Sequence, residues 1–201
     1  MVALTHSPGD GPGRAAAIRV EFAGPARQDR LTVLTRLILA IPHFISLLVA
    51  MIATLMVIVG GWFGALFRGR LSASVTEYLV GYHQWKVRLY AYLLLLTDKY
   101  PPVGWRDADY PVRVAVRPGR LNRLAVLFRL VLAVPALLVE VVLVLVLVVI
   151  VMPITWLIVL SLGRMPQPLY EAISAAARYL ARVNGYMWLL TSEYPRGLFG
   201  G

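Results

Sequence analysis

One uncharged stretch decides the fold. It covers residues 37–67 and reads LILAIPHFISLLVAMIATLMVIVGGWFGALF, between Arg36 and Arg68. A helix of these 31 residues would measure about 46 Å at 1.5 Å per residue, and the hydrocarbon core of a bilayer is roughly 30 Å thick. The stretch is therefore long enough to cross a membrane. A second run, residues 130–162, has Glu140 as its only charge, and two such runs predict an integral membrane protein.

The composition agrees with a membrane location. Hydrophobic residues make up 59% of the 201 residues, which is high for a soluble domain. Lysine and arginine number 20 against 10 acidic residues, a net charge of +10. Because the basic residues flank the apolar runs, this charge favours contact with anionic lipid rather than nucleic acid. The chain has no cysteine, which excludes disulfides and thiolate metal sites.

The chain contains two tandem copies of one unit. A shift of 93 positions aligns the first part of the copies and a shift of 94 aligns the rest, so copy two has one additional residue. We expect a disordered tail at 1–17, repeat 1 at 18–104 and repeat 2 at 105–201. The aligned pairs include Arg36 with Arg129, Trp62 with Trp156, Gly69 with Gly163, Arg88 with Arg182, and Tyr100 with Tyr194.

Each copy has the same predicted order of elements. A short alternating segment, 18–22 or 112–117, has the period of two that is typical of a β-strand. A lone strand is marginal, so we expect these two to pair. Basic turns, a long apolar helix, a Gly-Arg loop and a second helix follow. The second helix is ambiguous, because a lysine or arginine at the centre of a span costs about 2.5 to 3.5 kcal/mol. Such residues are Lys86, Arg88, Arg178 and Arg182.

Charge distribution predicts the topology. If each copy crosses the membrane twice, the termini and the linker share one side. That side then holds thirteen basic residues, against three in the opposite loops. The sequence therefore predicts an all-α integral membrane protein of two tandem repeats. Each repeat has two transmembrane helices, four in total, and is preceded by a short β-strand. Both termini are expected in the cytoplasm, in the inner (plasma) membrane, with the two halves in one orientation.

Polar residues on the second helices are candidates for a site. Glu77, Gln84 and Arg88 share one helix face, and the second copy repeats the spacing. The stripes either meet water and headgroups by snorkelling or face each other across a cleft that suits an anionic ligand. Glu140 is a proton or cation site, a partner for a nearby arginine, or an isolated charge at the membrane interface. The cleft candidates are Glu77, Gln84, Arg88, Glu140, Glu171, Arg178 and Arg182. The basic residues expected at the lipid interface are Arg30, Arg36, Arg123 and Arg129.

Short motifs in both copies resemble a known family. The motifs carrying the likeness include Ala133-Val134-Pro135, Gly163-Arg164, Leu189-Leu190-Thr191 and Tyr194-Pro195, with counterparts in copy one. In combination they resemble a bacterial integral-membrane family designated domain of unknown function 4389, present as two tandem copies over residues 18–197. The resemblance implies a membrane location and the repeat unit. It implies no activity, substrate or catalytic residue.

The sequence favours a function without catalysis. His-x-x-x-His, Gly-x-Ser-x-Gly and phosphate-binding glycine loops are absent from the sequence, so we expect no enzyme, no cofactor and no metal. We expect a scaffold or accessory subunit that contacts anionic membrane lipids, with a membrane-protein partner or self-association. The alternative is a small transporter or channel that uses a polar cleft between the repeats.

Overall fold

The structure, a computed structural model, is mostly helical with one small sheet. It describes residues 17–25, 27–104 and 109–195, so the predicted tail lies outside the described residues except for Ala17. The elements are β1 (Ile18–Phe22), α1 (Arg30–Arg68), α2 (Ala73–Leu93), β2 (Val112–Val116), α3 (Arg123–Leu127), α4 (Arg129–Val146), a π-helical turn (Leu147–Val151), α5 (Met152–Leu162) and α6 (Gln167–Met187).

Equivalent residues begin and end the long helices of the two repeats. Asp29 caps α1 by accepting a hydrogen bond from the Leu31 N–H, and Asn122 does the same for α3. Such caps satisfy a helix donor that has no partner within the helix. Gly69 ends α1 and Gly163 ends α5, each in the left-handed region, at φ 69° and 68°. The repeat that is visible in the sequence thus produces matched helix boundaries.

The additional residue of copy two lies in a π-helical turn. The shift between the copies changes from 93 to 94 within this helix, and Leu147–Val151 is π-helical where copy one continues as α-helix. A π-turn accommodates one extra residue inside an α-helix without breaking it. The halves of the helix on either side of the turn therefore keep the positions that α1 has in copy one.

The two predicted strands are present, and they pair with each other. β1 and β2 are antiparallel, with Ile18 opposite Val116 and Phe22 opposite Val112. Both strands bury alternate residues, as their sequence alternation predicts. The outward face of the sheet carries Arg19, Glu21, Arg113 and Ala115.

The elements form three layers, and the strands are exchanged between the repeats. β2, which precedes repeat 2, packs on α2 of repeat 1, whereas β1 packs on α6 of repeat 2. The helices α2 and α6 pack on each other and form the middle layer. On the side away from the sheet, α1 packs on α2 and α4 packs on α6. We call α1 together with α3, α4, the π-helical turn and α5 the apolar layer.

The two repeats are antiparallel. At one end, which we call the Gly163 end, the Gln28 N–H donates to the Gly163 carbonyl at 3.1 Å, so α1 begins where α5 ends. At the other, the Gly69 end, the Leu121 N–H donates to the Gly69 carbonyl at 2.9 Å, so α1 ends where α3 begins. The prediction that the halves share one orientation is therefore wrong. The charge count failed because it placed the whole linker at one end, whereas the linker runs from the Gly163 end to the Gly69 end.

The apolar layer carries the hydrophobic surface of the molecule. Among the described residues, Arg30–Arg68 and Arg129–Leu162 are the two helices long and apolar enough to cross a membrane. Their large side chains point mostly outward, and Phe67 and Leu130 are each 72% exposed. The core helix of a soluble protein would instead be buried. The first membrane helix predicted for each repeat thus has the length and composition to cross a membrane. The second one, α2 or α6, has 21 residues but is not apolar enough.

Candidate functional site

The predicted polar stripes of α2 and α6 lie against the sheet. The Gln84 side-chain amide donates to the Val114 carbonyl at 3.1 Å, and Arg178 Nε donates to the Val20 carbonyl at 3.2 Å. The buried Arg88 guanidinium lies 5.5 Å from the centre of the Tyr110 ring. Gln84 and Arg178 therefore bind one strand each, and Arg88 contacts the linker just before β2.

The remaining stripe residues do not join a common cleft. Glu77 and Glu171 are exposed near the starts of α2 and α6, at opposite ends of the molecule, and Glu171 accepts a hydrogen bond from the Gln167 amide at 2.7 Å. Arg182 is half-buried and lines a narrow pocket with Ile18 and Glu193.

Glu140 belongs to a chain of polar groups that joins three helices. Lys86 Nζ of α2 donates to Asn184 Oδ1 of α6 at 2.6 Å, and Asn184 Nδ2 donates to Glu140 Oε1 of α4 at 2.6 Å. The Lys86 ammonium also lies 4.8 Å from the centre of the Trp188 ring. One amide thus bridges a cation and a carboxylate, an arrangement that satisfies partly buried charges in a helix core. We call Lys86, Asn184 and Glu140 the polar chain.

A small cavity adjoins the polar chain. Its volume is about 20 Å³, and Lys86, Asn184, Tyr90 and His83 line it together with aliphatic residues. This space suits a single water molecule. His83 is fully buried with its ring edge-on to Trp188, and its ring nitrogens have no hydrogen-bond partner among the described residues. The cavity therefore brings the Lys86 ammonium, the Asn184 amide and the His83 imidazole together between the repeats.

Sequence reasoning found one member of the polar chain and missed two. A signal for all three was present, since each departs from the repeat: Glu140 aligns with Leu47, Lys86 with Leu180 and Asn184 with Tyr90. These positions break the internal symmetry at the contact between the halves.

Two arginines expected at the lipid interface are inside the protein. Arg36 is 0% exposed and donates to the Tyr92 and Thr97 carbonyls, to Gln28 and to Asp98, the last at 2.8 Å. Arg129 is 3% exposed and donates to the Thr191 carbonyl at 2.7 Å. Each guanidinium also lies over a tyrosine ring, Tyr92 at 4.2 Å and Tyr186 at 4.3 Å. The expectation of lipid contact is therefore wrong for this pair, because both side chains are buried and donate to carbonyl groups of the protein.

The other two interface arginines are exposed and lie at the helix ends. Arg30 Nη2 donates to the Ser161 carbonyl at 3.0 Å, which holds it beside the Gly-Arg turn of the other repeat. Arg27 forms a backbone bridge with Arg164 in the same place. The internal symmetry gives the Gly69 end an equivalent set. The exposed arginines of these two matched sets, which we call the end arginines, are Arg27, Arg30 and Arg164 at the Gly163 end and Arg120, Arg123 and Arg70 at the Gly69 end.

Tyr110, a residue of the linker, lies near the buried arginines Arg36 and Arg88. Its hydroxyl donates to the Lys99 carbonyl at 2.8 Å. Burial raises the pKa of Tyr110 above its usual range, while the positive charges of Arg36 and Arg88 act to lower it. The phenol therefore stays protonated at neutral pH and joins two parts of the linker, while its ring contacts Arg88 of α2.

The fold and these contacts define a duplicated helical protein in which each copy carries a buried arginine that binds the turn after its second helix. The chain belongs to the family described as Domain of unknown function (DUF4389), which matches it twice, over residues 30–104 and 123–198. This confirms the family resemblance and the internal repeat. No curated protein and no solved structure matches the chain.

Proposed function

We propose that the protein is a non-enzymatic membrane protein that embeds its apolar layer in lipid and serves as a scaffold or accessory subunit. The observation that carries this proposal is the outward-facing hydrophobic surface of α1 and of α3 to α5, along which large side chains such as Met56 are exposed to 71%. Monomeric soluble proteins rarely expose contiguous apolar patches of this kind, and large patches mark membrane or partner contacts.

Charge supports an anionic lipid as the contact. The net charge is +10, and exposed arginines flank the apolar layer at both ends. Each basic residue near an anionic membrane surface contributes about 1 kcal/mol of attraction. The proposed location is therefore the bacterial inner membrane, whose lipids include anionic ones. Membrane embedding could take a multi-pass form, in which four helices cross the bilayer and both termini lie in the cytoplasm.

Membrane extraction tests the embedding. The chain is expressed in a bacterial host, and the membranes are washed with alkaline carbonate and then dissolved in mild detergent. We expect the protein to stay with the membrane through the wash and to retain anionic phospholipid in detergent. Release by carbonate as a soluble monomer without lipid would contradict the proposal.

The polar chain favours a second candidate, a small transporter or proton pathway. Ionisable residues that face the interior of a helix bundle often mark such pathways, and Lys86 and Glu140 are joined there through Asn184. Glu140→Gln removes the charge at nearly constant shape, and Glu171→Gln is the matched control on the exposed surface. In proteoliposomes with a pH-sensitive dye, a transporter requires proton flux that only Glu140→Gln abolishes. Equal dye traces for wild type and empty vesicles would remove this candidate.

A further inference from the structure

The apolar layer is too long to stand across a bilayer. α1 has 39 residues, so it measures about 58 Å. Its exposed large hydrophobics run from Leu31 to Phe67, about 55 Å of that length. Fitting this into a hydrocarbon core of roughly 30 Å would need a tilt of about 57°, whereas membrane-spanning helices tilt by at most about 40°. The helix 129–162 would need a tilt of more than about 50° by the same reasoning.

The path of the chain is also incompatible with upright helices. β1 starts at the Gly69 end, where the Ala17 N–H donates to Glu193, and finishes near the Gly163 end, where the Gly24 N–H donates to the Tyr170 hydroxyl at 2.9 Å. The sheet therefore lies alongside the helices. If these stood across the bilayer, the charged face of the sheet with Glu21 and Arg113 would meet lipid tails. Open sheet edges exposed to lipid do not occur at that depth.

The positions of the end arginines also argue against helices that stand across the bilayer. Three of them lie at each end of the apolar layer, and Arg68 adds a fourth exposed arginine at the Gly69 end, so both ends of the helix axis carry positive charge. A protein with helices across the membrane concentrates lysine and arginine on the cytoplasmic side. Positive charge at both ends is what a helix lying in the plane of the membrane requires, because both ends then meet the same headgroup layer.

We propose that the apolar layer lies parallel to the membrane plane within a single leaflet of anionic phospholipid. The end arginines contact headgroups at both ends, and the sheet faces water on the same side of the membrane. The thickness fits, since a helix with its side chains is about 10–12 Å across and one leaflet supplies about half of the 30 Å core. This inference rests on the proposed membrane embedding and replaces its multi-pass form.

The absence of cysteine allows a direct test by single-cysteine labelling. Ser74 is exposed near the Gly69 end, Ala172 is exposed near the Gly163 end, and Ala115 lies on the outward face of the sheet. Val149, 63% exposed on the apolar layer, is the lipid-facing control. The four variants are Ser74→Cys, Ala172→Cys, Ala115→Cys and Val149→Cys. Each full-length variant is treated with a membrane-impermeant maleimide in spheroplasts and, separately, in inverted membrane vesicles.

We expect Ser74→Cys, Ala172→Cys and Ala115→Cys to react from the same side of the membrane, and Val149→Cys to react only after denaturation. Labelling of Ser74→Cys and Ala172→Cys from opposite sides would overturn the in-plane arrangement while leaving membrane embedding intact. Protection of Ala115→Cys together with a disulfide between two copies would also overturn it, in favour of a spanning oligomer with a covered sheet. Release of every variant by carbonate, with Val149→Cys reactive in buffer, would instead contradict the proposed function itself.

Discussion

Arg36 and Arg129 close the turn after the second helix of their own repeat. In that turn Leu95 and Leu189 adopt the left-handed backbone conformation, at φ 62° and 61°, which is unfavourable for a residue with a side chain. The arginine donors bind carbonyls on both sides of the Leu95 turn. The strained conformation of Leu95 persists because the buried Arg36 guanidinium binds the Tyr92 and Thr97 carbonyls on either side of it.

Replacing the buried arginine tests this role. We expect Arg36→Gln to lower the free energy of unfolding by about 3 kcal/mol, because Asp98 and buried carbonyls lose a charged donor. For a protein of this size the unfolding midpoint should fall by roughly 6–12 °C. Thermal unfolding in detergent measures the change. Arg120→Gln, at an exposed position of the same charge, should leave the midpoint within about 2 °C, and an equal effect of the two variants would refute the role.

Sequence reasoning could locate these arginines but not their direction. The charge beside an apolar run predicts a headgroup contact equally well whether the side chain points to lipid or into the protein. Arg36 and the Leu95-Leu96-Thr97 motif recur together in copy two, with one additional residue between them, and this recurrence is the feature that indicates a structural pair. The sequence alone does not indicate the polar chain, since its members come from three helices and meet only through the packing of α2 and α4 on α6.

At the scale of elements, β1 is fitted closely to α6 at a glycine. A Cβ on Gly185 would lie 2.0 Å from Ile18 Cδ1, so Gly185→Ala must displace the strand or its side chain. We expect a loss of about 1–3 kcal/mol, typical of an overpacked core. Ile18→Val removes the clashing methyl group and should restore most of this loss in the double variant, which the same thermal assay measures. Gly60→Ala, at a position with open space, is the control; additive losses in the double variant would contradict the contact.

The π-helical turn predicts that the helix 129–162 tolerates the loss of one residue. Deleting Val149, which is exposed within the turn, should convert it to regular α-helix and keep the flanking helices packed as in copy one. Deleting Met56 from the regular helix α1 rotates every later residue by about 100° relative to its partners. We therefore expect folded protein, monodisperse on size-exclusion chromatography in detergent, for the first deletion and aggregation for the second. Aggregation of both would show that the turn is required for packing.

At the scale of the whole molecule, the sequence predicted the unit and its duplication but not the relation between the copies. Periodicity located both strands and the apolar helices, because these patterns are local. The antiparallel arrangement depends on where the linker leads. β2 packs on α2 of repeat 1, where Gln84 donates to the Val114 carbonyl and Arg88 lies beside Tyr110, two residues before the strand. A count of charges along the chain does not reveal the path of the linker. The predicted order of elements was therefore correct, whereas the predicted common orientation of the halves was not.

Strand exchange predicts that neither repeat is stable alone. Without residues 105–201, α2 loses β2 and its contact with α6; without residues 1–104, α6 loses β1 and α2. We expect each half, expressed separately, to be degraded or to aggregate in detergent, and the two halves expressed together to copurify through an affinity tag on one of them. The interface includes Lys86 and Asn184, so Asn184→Leu in the second half should reduce copurification, whereas the exposed control Glu171→Gln should not. A first half that purifies as a monodisperse species with native helicity by circular dichroism would show that the repeats fold independently and that the exchange of strands is not required.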